Sequence, residues 1–188
     1  MKILGTHNSW TYLPTKRWWM KVISWTAKCQ SKTIREQYEA GVRCFDLRVK
    51  FTAQGELKVA HGLVEYKITE EELMEDLKFL NEQGDCYVRV LHEVRSASEL
   101  TAQRMAWFQR WCFKATRLTK VYFFCGRNLV NWNIDYPFPR QELAIEDWYG
   151  SVKSRLYGKV WPWLWAKLNP IKFEEWESDK EVLLVDFV

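Results

Sequence analysis

Near the start of the chain, Gly5-Thr6-His7-Asn8-Ser9 sets an imidazole at the end of a short apolar run. Two later stretches answer it. Cys44-Phe45-Asp46-Leu47-Arg48 carries a carboxylate and a guanidinium at i and i+2, positions that point from the same face of an extended strand. Val59-Ala60-His61-Gly62 delivers a second imidazole. Two histidines, an arginine and an acid, each at or near the end of a predicted strand, are the equipment for phosphodiester cleavage. An imidazole takes or gives a proton near neutrality, and a guanidinium holds phosphate oxygens. Each residue also has a plainer reading: a histidine as a hydrogen-bonded core residue, and Asp46 with Arg48 as a surface ion pair.

These side chains need strands to present them. Met1 to Thr6 reads as a short strand closed by the small residues around His7. Lys16 to Trp25 mixes rings with cations and predicts a short helix or an ordered loop. Thr33 with Glu36 three positions later forms a capping box, opening a helix over Ile34 to Ala40 that Gly41 stops. Val42 to Phe51 alternates and is rich in branched and aromatic residues, which predicts a strand. A turn at Gln54-Gly55 and a shorter strand over Leu57 to Ala60 follow. Thr69 with Glu72 opens a second helix to about Glu82, whose Leu73, Leu77 and Leu80 share one face. Cys86 to Leu91 reads as a strand, Ala97 to Leu118 as a long helix, and Lys120 to Cys125 as a buried strand ending at Gly126. Asn128 to Pro139 has the composition of a loop. Tyr149 to Leu168 reads as partly helical, interrupted at Pro162, and Val182 to Val188 as a final strand. Strands alternating with helices predict an α/β fold with parallel pairing. A complete barrel of that class needs ~250 residues. The 188 residues and five or six good strands here predict one domain over 1–188, a TIM-barrel-like sheet that is trimmed or partly open.

Composition narrows the partners. A net charge of +4 suits an anionic substrate or membrane leaflet and falls well short of a nucleic-acid footprint. The aromatic load is unusual, with 12 Trp beside 8 Tyr and 10 Phe, which predicts that some rings serve a surface. Five cysteines, odd in number and without a CxxC pair, argue against a disulfide framework or a zinc site and for buried free thiols in a reducing compartment. The apolar runs are interrupted well before the ~18 residues of a membrane span.

The motifs quoted above, with Gln37-Tyr38-Glu39-Ala40-Gly41-Val42-Arg43 and the terminal Leu183-Leu184-Val185-Asp186-Phe187, give the chain a resemblance to the catalytic X domain of phosphatidylinositol-specific phospholipase C. The nearest branch is the bacterial, metal-independent one. The first half carries this likeness; between about Ser96 and Lys180 little of it is visible. The resemblance implies attack of an inositol 2-hydroxyl on phosphorus, releasing diacylglycerol and a cyclic inositol phosphate. His7 would be the base, His61 the acid, and Arg48 the cation that stabilises the five-coordinate phosphorus. Asp46 would orient Arg48 or His61. Asp186 matches a late carboxylate that fixes the base histidine, although an acid in this position could equally be an exposed strand end. Asn8 stands where the bacterial pattern has Asp, and the calcium-binding branch has Asn there. Glu93 falls near an acidic ligand of that branch, so Asn8, Asp46 and Glu93 form a minority calcium set beside the expectation of no cofactor. Asn8 and Glu93 otherwise count as substrate-binding candidates. His92 reads as an ordinary packing or surface residue.

Trp18 and Trp19 lie at about the place where the family carries a membrane-touching helix, and Trp161-Pro162-Trp163-Leu164-Trp165 is a second such candidate. Both segments could instead be core. The expected partner is a phospholipid, with peripheral membrane contact and no nucleic acid. Only six residues precede His7, so the expectation is a cytoplasmic chain without a signal peptide, or one whose export signal lies outside this sequence, since bacterial relatives are often secreted. The alternatives that remain are a related phosphodiesterase acting on another lipid or a glycerophosphodiester, and a catalytically silent phosphoinositide-binding module.

Overall fold

Strand β1 (Ile3–Thr6) lies between β2 (Cys44–Phe51) and β8 (Val182–Val185), parallel to both. The computed structural model describes residues 1–94, 99, 101–119, 122–125, 143–148 and 161–188. On the far side of β2 run β5 (Tyr87–His92) and β6 (Tyr122–Cys125), and beyond β8 runs β7 (Ile145–Asp147), all parallel. The parallel order is therefore β7-β8-β1-β2-β5-β6. Among the described residues no pairing joins β6 to β7, so the sheet is a curled half-barrel rather than a closed ring, as the length predicts.

The parallel expectation fails at one place. β3 (Leu57–His61) runs antiparallel to the far half of β2, with Val49 opposite Val59 and Phe51 opposite Leu57, and folds back again on β4 (Val64–Glu65). The connection from β2 to β3 spans residues 52–56, and a parallel return needs a crossover of roughly a dozen residues or more. A hairpin is the only return so short a link allows. β2 consequently pairs along one edge with β1 at Cys44 and Phe45 and then with β3 from Val49 onward.

The alternation along β2 divides the molecule into two layers. Phe45, Leu47, Val49 and Phe51 are buried outward against α3 (Glu70–Gln83) and α4 (Ala102–Thr119), in a core with Leu73, Leu77, Leu80, Phe108 and Trp111. Cys44 faces inward and packs with Ile3, Val182 and Leu184 at the floor of the half-barrel. β1 can approach its neighbours this closely because position 5 lacks a side chain. A Cβ on Gly5 would stand 2.5 Å from Leu184 Cδ2 and 3.1 Å from Cys44 Cβ. Above this floor the inward positions turn polar, and there the candidate site begins.

Both predicted capping boxes are present. Thr33 and Glu36 open α2 (Ile34–Glu39), and Thr69 and Glu72 open α3; in each, the threonine oxygen accepts from the glutamate N–H and the glutamate carboxylate accepts from the threonine N–H. Three glutamates in the first turn of α3 add favourable charge at its N-terminus, and Gly84 ends it at φ +81. The segment from Lys16 to Trp25 contains a four-residue helix, α1 (Met20–Ile23), and the start of a 3₁₀ turn over Ser24–Thr26. Pro162 occupies the first turn of α5 (Pro162–Leu168), where its missing N–H costs no hydrogen bond. The final strand is shorter than the sequence suggests, because Phe187 turns into a left-handed conformation at φ +54. The predicted loop over Asn128 to Pro139, residues 149–160 of the predicted helical stretch, and Gly126 lie outside the described residues. No helix among the described residues is long and apolar enough to cross a membrane.

Candidate active site

The first motif is bolted to β2 through its backbone. Ser9 Oγ accepts from the Asp46 N–H at 2.8 Å, the Ser9 N–H donates to the Asp46 carbonyl at 2.9 Å, and the Asn8 N–H donates to Asp46 Oδ2 at 3.1 Å. Asn8 adopts a left-handed φ of 49°, a conformation that asparagine tolerates better than most residues. This turn brings His7 to the end of β1, over the inward face of the sheet. Gln30 then ties the ends of β1 and β8 together, its side-chain amide donating to the carbonyls of His7 at 3.2 Å and Val185 at 2.9 Å. Immediately after β8 ends, Asp186 meets His7.

His7 Nδ1–H donates to Asp186 Oδ1 at 2.9 Å, which leaves Nε2 as the acceptor. That nitrogen receives Arg48 Nη2 at 2.7 Å and the Asn8 side-chain amide at 3.0 Å, with Asp147 Oδ2 3.9 Å away. Burial is the largest influence on this imidazole and works against its charged form. The charges of Asp147 and Asp186 outweigh burial, so its pKa is raised above the ordinary histidine value. Nε2 is thus a strengthened base whose lone pair is held by two donors.

The ring of His61 lies 5.8 Å from that of His7, at 80°. Its Nδ1–H donates to the Ala27 carbonyl at 2.8 Å, so Nε2 is the nitrogen that carries a second proton when the ring is charged. Burial first, then the positive charges of Arg48 and His7, push its pKa down to about 3. In the ligand-free protein His61 is therefore neutral at physiological pH. An anion resting on Arg48 would cancel part of the charge that keeps it so.

Arg48 Nε donates to Asp46 Oδ2 at 3.1 Å, and its Nη1 lies 3.7 Å from Glu93 Oε2. Arg89 approaches Asp46 Oδ1 at 3.5 Å from β5. Burial would favour the neutral acid at Asp46, yet the guanidiniums of Arg48 and Arg89 hold it well below the usual carboxylate range. The surface-pair reading of Asp46 and Arg48 fails, since Asp46 is wholly buried and the Arg48 side chain is 14% exposed. The exposed-end reading of Asp186 fails likewise, with its side chain 1% exposed. Glu93 Oε1 accepts from the Gly62 N–H at 2.9 Å, linking β5 to the turn after His61.

The structure thus gathers His7, Asn8, Asp46, Arg48, His61, Glu93 and Asp186 from the C-terminal ends of β1, β5 and β8, the middle of β2 and the end of the β3 hairpin strand. Trp18 and Trp19 stand apart on the surface, 80% and 40% exposed. His92 is a packing residue, stacked on Phe108 with centroids 4.7 Å apart. Asp147 and Cys29 are absent from the sequence-derived set. Asp147 ends a three-residue strand, Ile-Glu-Asp, too short and polar for its pattern to stand out. Cys29 sits in a segment with no periodicity, yet its Sγ lies 3.8 Å from both Asn8 Nδ2 and His61 Nδ1. Cys29, Cys44, Cys86 and Cys112 are buried free thiols.

No protein-family model matches the sequence, and no curated protein matches it significantly. Solved structures do. A point mutant of the phosphatidylinositol-specific phospholipase C from Staphylococcus aureus matches with a TM-score of 0.63 at 15% identity, covering 98% of this chain and 84% of that one. The phosphatidylinositol-specific phospholipase C from Listeria monocytogenes matches with a TM-score of 0.52 at 15% identity, over 78% of this chain and 60% of that one. Another Staphylococcus aureus mutant aligns at 20% identity with a TM-score of 0.48 over 65% of this chain, which spans 46% of that protein's length. In fold, the chain is a curled half-barrel similar to the bacterial phosphatidylinositol-specific phospholipases C.

Proposed function

We propose that the chain is a phosphodiesterase that cleaves phosphatidylinositol-type lipids to diacylglycerol and a cyclic inositol phosphate. The observation that carries this reading is the approach of the His7 and His61 rings to 5.8 Å of one another, beside a guanidinium whose Nη2 is 2.7 Å from His7 Nε2. A phosphodiester anion draws Arg48 away from His7, freeing the Nε2 lone pair. His7 then removes the proton from the inositol 2-hydroxyl, whose oxygen forms a bond to phosphorus. Arg48 stabilises the charge on the five-coordinate phosphorus, a contribution worth about 10²–10³ in rate. Once the phosphodiester anion offsets the charge of Arg48, His61 takes up a proton from solvent on Nε2, and the bond to the diacylglycerol oxygen breaks as His61 delivers that proton to it. Asp186 holds the His7 tautomer, and Asp46 keeps Arg48 aimed inward. Glu93 Oε2, buried without a hydrogen-bond partner, offers an acceptor to a headgroup hydroxyl, and Asn8 steadies the base.

The reaction needs no metal in this reading. Support comes from Arg48, whose guanidinium already approaches both Asp46 and Glu93 and would repel a calcium ion shared by these residues with Asn8. Peripheral membrane contact belongs to the same proposal. Trp18, Trp19, Val22 and Trp25 are exposed on and around α1, and Trp25 meets the exposed Trp161 ring edge-on at 5.5 Å, joining this patch to Trp163 in the first turn of α5. Exposed indoles with Arg17 and Lys21 nearby suit the interface of an anionic bilayer.

The test is incubation with phosphatidylinositol vesicles in excess chelator, followed by phosphorus NMR. A cyclic inositol phosphate signal is expected. Vesicle binding without that product would identify a silent lipid-binding module instead, and turnover restored only by calcium would replace the metal-free mechanism.

A further inference from the structure

His7, Cys29 and Asp186 each direct a ligand atom to one place, all within 4.8 Å of one another and all buried, the only such trio among the described residues. They come from three separate parts of the fold: the end of β1, the segment after the 3₁₀ turn, and the end of β8. The thiol is not held by chance. The Cys29 N–H donates to Thr11 Oγ1 at 2.9 Å, and its carbonyl accepts from the Phe187 N–H at 2.8 Å, so the residue is fixed from both sides of the peptide. The second carboxylate oxygen of Asp186 is buried without a hydrogen-bond partner.

The geometry points to a binding site for a thiophilic divalent cation of the zinc class, formed by His7, Cys29 and Asp186, whose occupation switches the imidazole off. A point among three atoms no more than 4.8 Å apart lies at most about 2.8 Å from each; small side-chain shifts bring them to the ~2.0–2.3 Å of zinc–nitrogen, zinc–oxygen and zinc–sulfur bonds. Charge balances as well. The thiol proton leaves to solvent as the sulfur–metal bond forms, and the thiolate and the carboxylate together neutralise the ion. Nitrogen, sulfur and oxygen donors in this mixture favour zinc, cobalt or copper over calcium or magnesium, which prefer oxygen alone. The ion takes the His7 Nδ1 that faces Asp186, away from the Arg48 cation on Nε2. The Nδ1 proton moves to Nε2, which then has no lone pair with which to act as the base.

Binding stands on geometry alone, whereas the inhibitory half rests on the function proposed above, and the experiment separates the two. The chelator-stripped full chain is titrated with Co²⁺. The expected result is a thiolate-to-cobalt charge-transfer band in the near ultraviolet that Zn²⁺ abolishes by displacement. Cys29→Ser should lose the band, Asp186→Asn should weaken Co²⁺ binding by at least about tenfold, and Cys112→Ser, altering a buried thiol on α4, should keep the band. No band in the native chain, or a band that persists in Cys29→Ser, overturns the site. If Cys29→Ser fails to fold by circular dichroism, His7→Gln and Asp186→Asn carry the same decision. With phosphatidylinositol as substrate, Zn²⁺ should inhibit at the concentrations that displace Co²⁺; full turnover at saturating Zn²⁺ overturns the switch. A native chain that turns over no lipid removes the proposed function, while the cobalt spectrum still decides the site.

Discussion

His7 and His61 are near neighbours, yet the protein treats them oppositely. His7 has two carboxylates within reach and a raised pKa; His61 has a backbone carbonyl on Nδ1, two positive groups nearby and a pKa pushed down to about 3. Burial pulls both in the same direction, so the difference lies in the charges that each ring faces. Asp186 and Asp147 belong to the β7-β8 side of the half-barrel, while His61 arrives on the opposite side with the β3 hairpin. The lesson is that topology assigns the proton: one flank of the sheet makes a stronger base, the other a stronger acid.

The most severe way to break this contrast is to remove either ring. His7→Ala and His61→Ala should each lower kcat/KM on phosphatidylinositol by about 10²–10⁴ with unchanged circular dichroism, and a rate close to that of the native chain in either variant would end the two-imidazole account. Asp186→Asn should cost about 10–100-fold in rate and lower the His7 pKa seen by NMR. Asp147→Asn should move that pKa in the same direction, and a His7 pKa indifferent to both would mean that the carboxylates do not set it.

A smaller effect concerns acid stability. Because the folded pKa of His61 is about 3 and the unfolded value near 6.5, the unfolded chain binds the extra proton first as pH falls, and His61 erodes stability between those limits. His7 has the reverse slope: its raised pKa contributes stability below about 6.5 that is lost as pH climbs through the folded value. Urea midpoints of His61→Gln should therefore fall less steeply with acidification than those of the native chain; identical slopes would count against the depressed value. Least of all, Trp18→Ala should change folding stability by no more than about 0.5 kcal/mol while weakening vesicle association in a flotation assay. Unaltered association would remove this residue from the membrane contact.

Much of this arrangement is legible in the sequence because the relevant signals are local. Capping boxes at Thr33 and Thr69 announce their helices, and the inward positions Asp46 and Arg48 follow from the two-residue period of a strand. The direction of β3 was also available, since the 52–56 link is too short for a crossover, but the prevailing α/β rhythm argued for parallel pairing. Asp147 and Cys29 escape for a different reason. Each reaches the site through pairing or hydrogen bonds with residues far away in sequence, β7 with β8 and Cys29 with Thr11 and Phe187. At Pro162 the described residues show the start of a helix, the place in a helical pattern where a proline fits best.

The edge of β2 that serves β1 first and the hairpin afterwards has an evolutionary corollary. His7, Arg48 and Asp186 ride on consecutive members of one rigid parallel block, so their mutual spacing is inherited together. His61 instead ends a hairpin strand that pairs with the last three residues of β2, so its position depends on a short link outside that block. On such a plan the hairpin that carries one imidazole can vary while the other imidazole and the guanidinium keep their mutual spacing.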